Sequence, residues 1–161
     1  MDFAYLFTSF DGRINRKPYW LATIVLVVIA IIVSIVIGVV SGIGMAMMGG
    51  GSMAATIISI VITALIAYPA TALMVKRLHD RGKSGQLAWV FWAPTIIGYV
   101  GQLTGLTVSM QDINGVMIPS PNLLGMIVGG LTLLIGLWAL VELGFLRGTE
   151  GPNEYGPDPL A

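Results

Sequence analysis

PYWLATIVLVVIAIIVSIVIGVV, residues 18–40, carries no charge, and its apolar run from Tyr19 to Val40 is 22 residues long. At a rise of 1.5 Å per residue, about 20 such residues carry a helix across a hydrocarbon core of about 30 Å. Arg13, Arg16 and Lys17 precede the run, as they would a secretory signal. A signal core is shorter, about 7–15 residues, and no small-x-small cleavage site stands out. The run is expected to be a retained first span.

The same pattern continues outward. From Pro18 to Val75 there is no charged residue over 58 positions, and from Ser84 to Val141, another 58, only Asp112. Across 161 residues, 56% are hydrophobic and 10% charged, with a mean hydropathy of +0.88. A soluble domain carries about 25% charged residues. This composition excludes a soluble cytosolic enzyme, a nucleic-acid binder and a disordered tail. Eight basic and eight acidic residues cancel, so the placement of charge is informative and its sum is not. With no cysteine, disulfides and thiolate metal sites are excluded.

Each block is too long for one span and fits two. The first divides at Gly42-Ile43-Gly44 and at Gly49-Gly50-Gly51-Ser52. That predicts helices over 18–41 and 54–76. The second divides at its polar stretch, Ser109 to Asn122, which predicts helices over 86–107 and 122–146. Residues 1–17, 77–85 and 147–161 are then the extramembrane segments on one side. The expected fold is an all-α, single-domain bundle of four transmembrane helices in two hairpins. A short N-terminal interfacial helix precedes it and an irregular Pro/Gly-rich tail follows.

Orientation follows from Lys and Arg, which cytoplasmic loops retain. Arg13, Arg16 and Lys17 precede helix 1; Lys76, Arg77, Arg81 and Lys83 join the two hairpins; Arg147 follows helix 4. All eight fall on one side, which predicts both termini in the cytoplasm. Tyr19, Trp20, Trp89 and Trp92 stand beside these clusters as interfacial anchors.

Helices in lipid associate through close packing and hydrogen bonds, so small residues matter. Helix 2 has Ala55, Ser59, Thr63, Ala67 and Thr71 in a stripe; helix 1 has Ser34, Gly38 and Gly42; helix 3 has Gly101 and Gly105; helix 4 has Gly125 and Gly129. They suit a compact bundle within one chain, or a homo-oligomer. Pro69 and Pro94 each free a carbonyl four residues back, on Leu65 and Val90. The kinks are read as structural, because no buried charge accompanies them.

At the N-terminus, Phe3, Leu6, Phe7 and Phe10 at i, i+3, i+4 and i+7 give an amphipathic segment one apolar face. The first outer loop holds Met45, Met47, Met48 and Met53, an apolar turn in preference to a Cu(I) site because no His or Cys supports one. The second outer loop predicts a hairpin turning near Asn114-Gly115. Through Lys83 the cytoplasmic segments hold seven basic and three acidic residues, and from Glu142 onward one basic and four acidic. Charge balance therefore predicts that the tail, kept from helix by Pro152, Pro157 and Pro159, lies against the basic loop. The competing expectation is a mobile tail.

Three motifs occur in order: Phe10-Asp11-Gly12-Arg13-Ile14-Asn15-Arg16-Lys17-Pro18-Tyr19-Trp20, Lys76-Arg77-Leu78-His79-Asp80-Arg81-Gly82-Lys83-Ser84-Gly85, and Gly151-Pro152-Asn153-Glu154-Tyr155-Gly156-Pro157-Asp158-Pro159. In this the chain resembles the bacterial inner-membrane domain of unknown function 805 family over nearly its whole length. It departs in having Gln86-Leu87 after the Ser-Gly of the middle motif, where the family has Trp. The resemblance implies membership, topology and a place in the bacterial cytoplasmic membrane, and brings no assigned activity.

The candidate site is the cytoplasmic face: Arg13, Arg16, Lys17, Tyr19, Trp20, Lys76, Arg77, His79, Asp80, Arg81 and Lys83. There Arg77 and Arg81 would reach headgroup phosphates, with Asp80 neutralising its neighbours. His79 and Asp80 as an acid–base pair is the weaker reading, because adjacent helical residues face different ways and no nucleophile or metal partner accompanies them. Glu142, inside helix 4, is expected to form an inter-helix ion pair with Lys76 or Arg77. The reading is a non-enzymatic scaffold, without cofactor or metal, that binds anionic lipid or a protein partner and no nucleic acid. A small transporter or channel subunit with kinked helices 2 and 3 is the alternative, and an enzyme acting on lipid the third.

Overall fold

A computed structural model describes residues 2–48, 53–113 and 115–161; within these, the side chains of residues 40–48, 53–56, 113 and 116 are not described. The glycine run 49–52 and the side chains of Met45, Met47, Met48 and Met53 fall outside that description. The elements in chain order are α1 (Phe3–Thr8), α2 (Arg16–Met48), α3 (Met53–Asp80), a 3₁₀ turn (Gly85–Leu87), α4 (Ala88–Leu103), β1 (Val108–Ile113), β2 (Val116–Pro121) and α5 (Leu123–Ala139). A π-helical segment, Leu140–Phe145, follows α5 directly.

Among the described residues, three stretches are long and apolar enough to cross a membrane: Arg16–Val39, Ile57–Asp80 and Leu123–Phe145. Their side chains are largely exposed, with Ile35 61%, Leu65 69% and Leu133 64% accessible. Apolar surface on that scale needs a non-aqueous surrounding. This combination is the signature of a membrane protein. The fourth expected span is shorter than foreseen: α4 has 16 residues, about 24 Å of helix, and stops at Leu103 instead of reaching Thr107.

Other boundaries moved for physical reasons. α2 continues through Gly42 and Gly44 to Met48, since glycine inside an apolar helix does not force its end. α3 runs to Asp80, because cations in a last helical turn complement the carbonyl end of the helix. Gly82, at φ +66°, then lets the chain leave the helix in a left-handed conformation. Pro69 and Pro94 do lie inside helices, α3 and α4.

The chain forms two compact units, Met1–Ala88 with Leu143–Ala161, and Trp89–Glu142. In the first, α1 and α2 both pack on α3. Its core is Leu6, Ile14, Tyr19, Ala22, Ala72, Leu73 and Leu78 from these elements, with Leu143 from the C-terminal stretch. α1 is capped by the Asp2 carboxylate, which accepts from the Tyr5 N–H. Of the expected apolar face, Leu6 is buried and Phe3 exposed.

In the second unit, β1 and β2 pair antiparallel from Val108↔Pro121 to Ile113↔Val116. The expected hairpin is therefore present, with Gly115 at φ +82° and its N–H on the Asp112 carboxylate at 2.7 Å. Phe91 of α4 meets Trp138 of α5 edge to face at 5.1 Å. Gly101 and Gly125 press against Thr107, leaving no room for a side chain at either. Of the small residues expected to bring helices together, these two accommodate Thr107 of the connecting segment, and Gly105 and Gly129 face open space.

Candidate functional site

The polar end of the first unit is built on the last turn of α3. Helical spacing places Lys76, Arg77 and Asp80 where they meet different chain segments, and all three are buried.

Asp80 is the centre. Arg13 donates from Nε (3.3 Å) and Nη2 (3.1 Å) to Asp80 Oδ1, and Arg77 donates from Nη1 to Oδ2. One carboxylate thereby ties the N-terminal segment to α3, with side chains 1% and 4% exposed for Arg13 and Asp80. Burying such charges is costly unless every lone pair and proton is used. Arg13 spends its remaining donors on the tail: Gly151 O at 2.8 Å, Gly156 O at 3.2 Å and Thr149 O at 2.8 Å. The Thr149 N–H returns to Asp80 O at 2.7 Å. Gly148 lies so close to the Asp80 carboxylate that no side chain fits there.

The other cations satisfy carbonyls. Lys76 Nζ donates to Tyr5 O (2.7 Å), Leu6 O (2.8 Å) and Ser9 O (2.6 Å), and stands 4.7 Å from the Tyr5 ring centroid. These carbonyls close the C-terminal end of α1, where a cation is favoured. Arg77 donates from Nε to Leu143 O at 2.7 Å and from Nη2 to Leu146 O. Arg16 reaches Phe145 O at 3.3 Å, the Trp20 indole N–H reaches Gly144 O at 3.0 Å, and Arg81 reaches Arg147 O at 2.6 Å. The carbonyls that end the last span are thus capped by side chains of α2 and α3.

His79 and Asp80 diverge. His79 Nδ1 is 3.2 Å from Gly12 O, so that nitrogen carries the proton. Its ring lies flat on Tyr155, centroids 3.9 Å apart and planes 2° from parallel, while its backbone carbonyl accepts from Asn153 Nδ2 at 2.9 Å. Gly12, at φ +82°, has the Tyr5 hydroxyl where a side chain would begin, and that hydroxyl donates to Asp11 O at 3.0 Å. Burial, with the nearby Asp11 carboxylate, pushes the Tyr5 phenol up, which keeps it a donor.

Three of the site cations expected to reach lipid, Arg13, Lys76 and Arg77, are therefore committed inside the protein. Arg16, Lys17 and Arg147 are exposed beside them, and Arg147 pairs with Glu150 at 3.1 Å. Tyr19 is buried, and Trp20 is half-buried against Phe145. Lys83 is partly exposed, with its backbone N–H on Leu78 O. Glu142 is buried and belongs to the other unit; its pairing with Lys76 or Arg77 stays an expectation of the sequence. Sequence reasoning missed Tyr5, Thr149 and Asn153 as parts of this end. Their roles run through backbone carbonyls and turns, which leave no residue pattern; the charge balance and the third motif, holding Asn153 and Tyr155, pointed to the tail but not to these contacts.

The tail meets this end through carbonyls, a stacked ring and an amide more than through its acids. Asp158 turns to its own segment, accepting from the Leu160 and Gly151 N–H groups at 2.9 Å each. A cavity of about 30 Å³ remains between Arg16, Arg77, Asp80, Arg147 and Thr149, about the volume of one water molecule. Among the described residues, no buried side-chain polar atom lacks a partner, and no three His, Cys, Asp or Glu come together as a metal site would require.

The chain is 28% identical over 153 residues to the uncharacterized protein YiiR of Escherichia coli (strain K12), covering 93% of this chain and 85% of that protein. The same holds for YiiR of Escherichia coli O157:H7. No solved structure matches. The model of the family described as "Protein of unknown function (DUF805)" matches residues 7–157, a range that takes in the Arg13–Asp80 pair and the His79–Tyr155 stack, and the chain belongs to that family.

Proposed function

We propose that this protein is a non-enzymatic scaffold of the bacterial cytoplasmic membrane. It crosses four times, α4 making the short third crossing, and keeps both termini and all eight basic residues on the cytoplasmic side. The exposed cations Arg16, Lys17 and Arg147, with Arg81 and Lys83 beside them and Trp20 at the interface, hold anionic lipid headgroups or an acidic protein surface. One observation carries this reading: the cations at this end divide into a buried set engaged by protein carbonyls and Asp80, and an exposed set, Arg16 and Lys17 at the start of α2 and Arg147 just past the last apolar stretch. The first builds the platform and the second meets the partner.

The test is reconstitution into nanodiscs of phosphatidylglycerol or phosphatidylcholine, with retained lipid counted by native mass spectrometry. The reading expects wild type to retain phosphatidylglycerol preferentially and the triple variant Arg16→Ala, Lys17→Ala, Arg147→Ala to lose that preference. Equal retention by both proteins argues against it. A transporter would show flux in liposomes that Glu142→Gln abolishes; the scaffold reading expects none.

A further inference from the structure

We propose that the uncharged cleft of the second unit is a binding site for one acyl chain of a membrane lipid. The cleft lies between α4, α5 and the base of the β1–β2 hairpin, with a volume of about 400 Å³. Sites for small molecules span about 300–1,000 Å³. Pro94, Gly98 and Gln102 line it from α4, and Gly125, Gly129 and Thr132 from α5.

Three features set the chemistry of the occupant. First, none of the lining residues is Asp, Glu, Lys, Arg or His, so a charged ligand would enter without a counter-charge at a cost of several kcal/mol. Second, Gly125, Gly129 and Thr132 belong to the stretch Leu123–Phe145 that is apolar enough to cross a membrane. The α5 wall of the cleft therefore belongs to a segment suited to hydrocarbon, and its hairpin end to the outer loop. Third, its α4 wall runs from Pro94 to Gln102, eight residue steps or about 12 Å of helix, long enough for a linear chain lying along α4. The Thr132 hydroxyl proton is already used on Val128 O at 2.8 Å. Gln102, exposed beside the hairpin, is the carboxamide available to the lipid's polar part.

The glycines show that the space is held open. At the hairpin end, side chains at Gly101 and Gly125 would collide with Thr107. One turn further along α5, a side chain at Gly129 would meet nothing within 4 Å, and at Gly98 only Val128 at 3.6 Å. Both helices are crowded by Thr107 at the hairpin end, and the crowding is gone one turn further along each.

The probe is a phosphatidylcholine carrying a photoactivatable diazirine in one acyl chain. Its neutral headgroup separates this site from the anionic-lipid reading, whose arginines lie in the other unit. In nanodiscs, labelling of wild type is expected to concentrate on peptides 94–102 and 125–132, and Gly129→Leu to reduce it at least fivefold. Gly130→Leu is the matched control, since Gly130 also faces open space on α5 but does not line the cleft; labelling there is expected to persist. Equal loss in the two variants, or wild-type label spread evenly over α2, α3 and α5, would overturn the proposal. The wild-type distribution reads the site without relying on either variant folding.

Discussion

The polar end of the first unit and the cleft of the second treat empty space and charge in opposite ways. At the polar end of the first, Asp80, Arg13, Arg77 and Lys76 are hydrogen-bonded to one another and to backbone carbonyls. In the second, a cleft of about 400 Å³ is kept open by glycines and lined by no charge. Rigidity in the first comes from groups that cannot be left unpaired in a low-dielectric setting. Openness in the second costs little under the proposed occupancy, in which a hydrocarbon chain fills the space. The difference teaches that conserving charge is critical in one place and conserving smallness in the other.

Breaking the comparison at Asp80 should have the largest effect. Asp80→Ala strands two buried guanidinium groups, and removing one partner of a buried pair costs about 3–5 kcal/mol; unfolding in SDS–detergent mixtures reads this directly. Lys76→Met should come next, leaving the Leu6 and Ser9 carbonyls without the Lys76 donor at about 1–3 kcal/mol for each that stays dry, while Tyr5 O keeps the Ser9 N–H. Limited proteolysis should then cut ahead of Asp11.

Substitutions at two glycines one turn apart sharpen the contrast. Gly125→Leu should destabilise by at least about 1–3 kcal/mol, the ordinary cost of overpacking, whereas Gly129→Leu should leave the melting temperature unchanged or raise it. A smaller change is expected for Tyr155→Ala, which removes the stack on His79 and should cost about 0.5–1.5 kcal/mol. Truncation after Thr149 should exceed it, because Arg13 also loses the Gly151 and Gly156 carbonyls; an unchanged melting temperature would mean that the tail contributes nothing.

The smallest effect is a pH dependence. The N–H groups of Leu160 and Gly151 hold the Asp158 carboxyl below its ordinary 3.8. A carboxylate depressed on folding adds stability above its ordinary value, and that stability is lost as pH falls through the folded value. The difference in melting temperature between wild type and Asp158→Asn should therefore be present at pH 6 and shrink below pH 4.

Much of this was legible in the residues. The uncharged blocks mark the apolar spans, Asn114-Gly115 marks the hairpin, and the placement of Lys and Arg marks one polar end. What was not legible depends on backbone groups. The π-helical close of the last span at Leu140–Phe145 presents carbonyls that Arg77, Arg16 and Trp20 cap, and no side-chain pattern announces them. The carbonyl cage around Lys76 is hidden for the same reason. A count of basic residues treats all eight alike, while burial divides them by task.

That division is tested most directly by melting temperature and phosphatidylglycerol retention measured together on two variants. Arg13→Ala should lower the melting temperature sharply while the folded fraction still selects phosphatidylglycerol. Arg16→Ala with Lys17→Ala and Arg147→Ala should lose that selection with little change in melting temperature. If Arg13→Ala abolishes lipid selection without loss of stability, or the exposed triple variant unfolds, the assignment of buried cations to structure and exposed ones to binding is wrong.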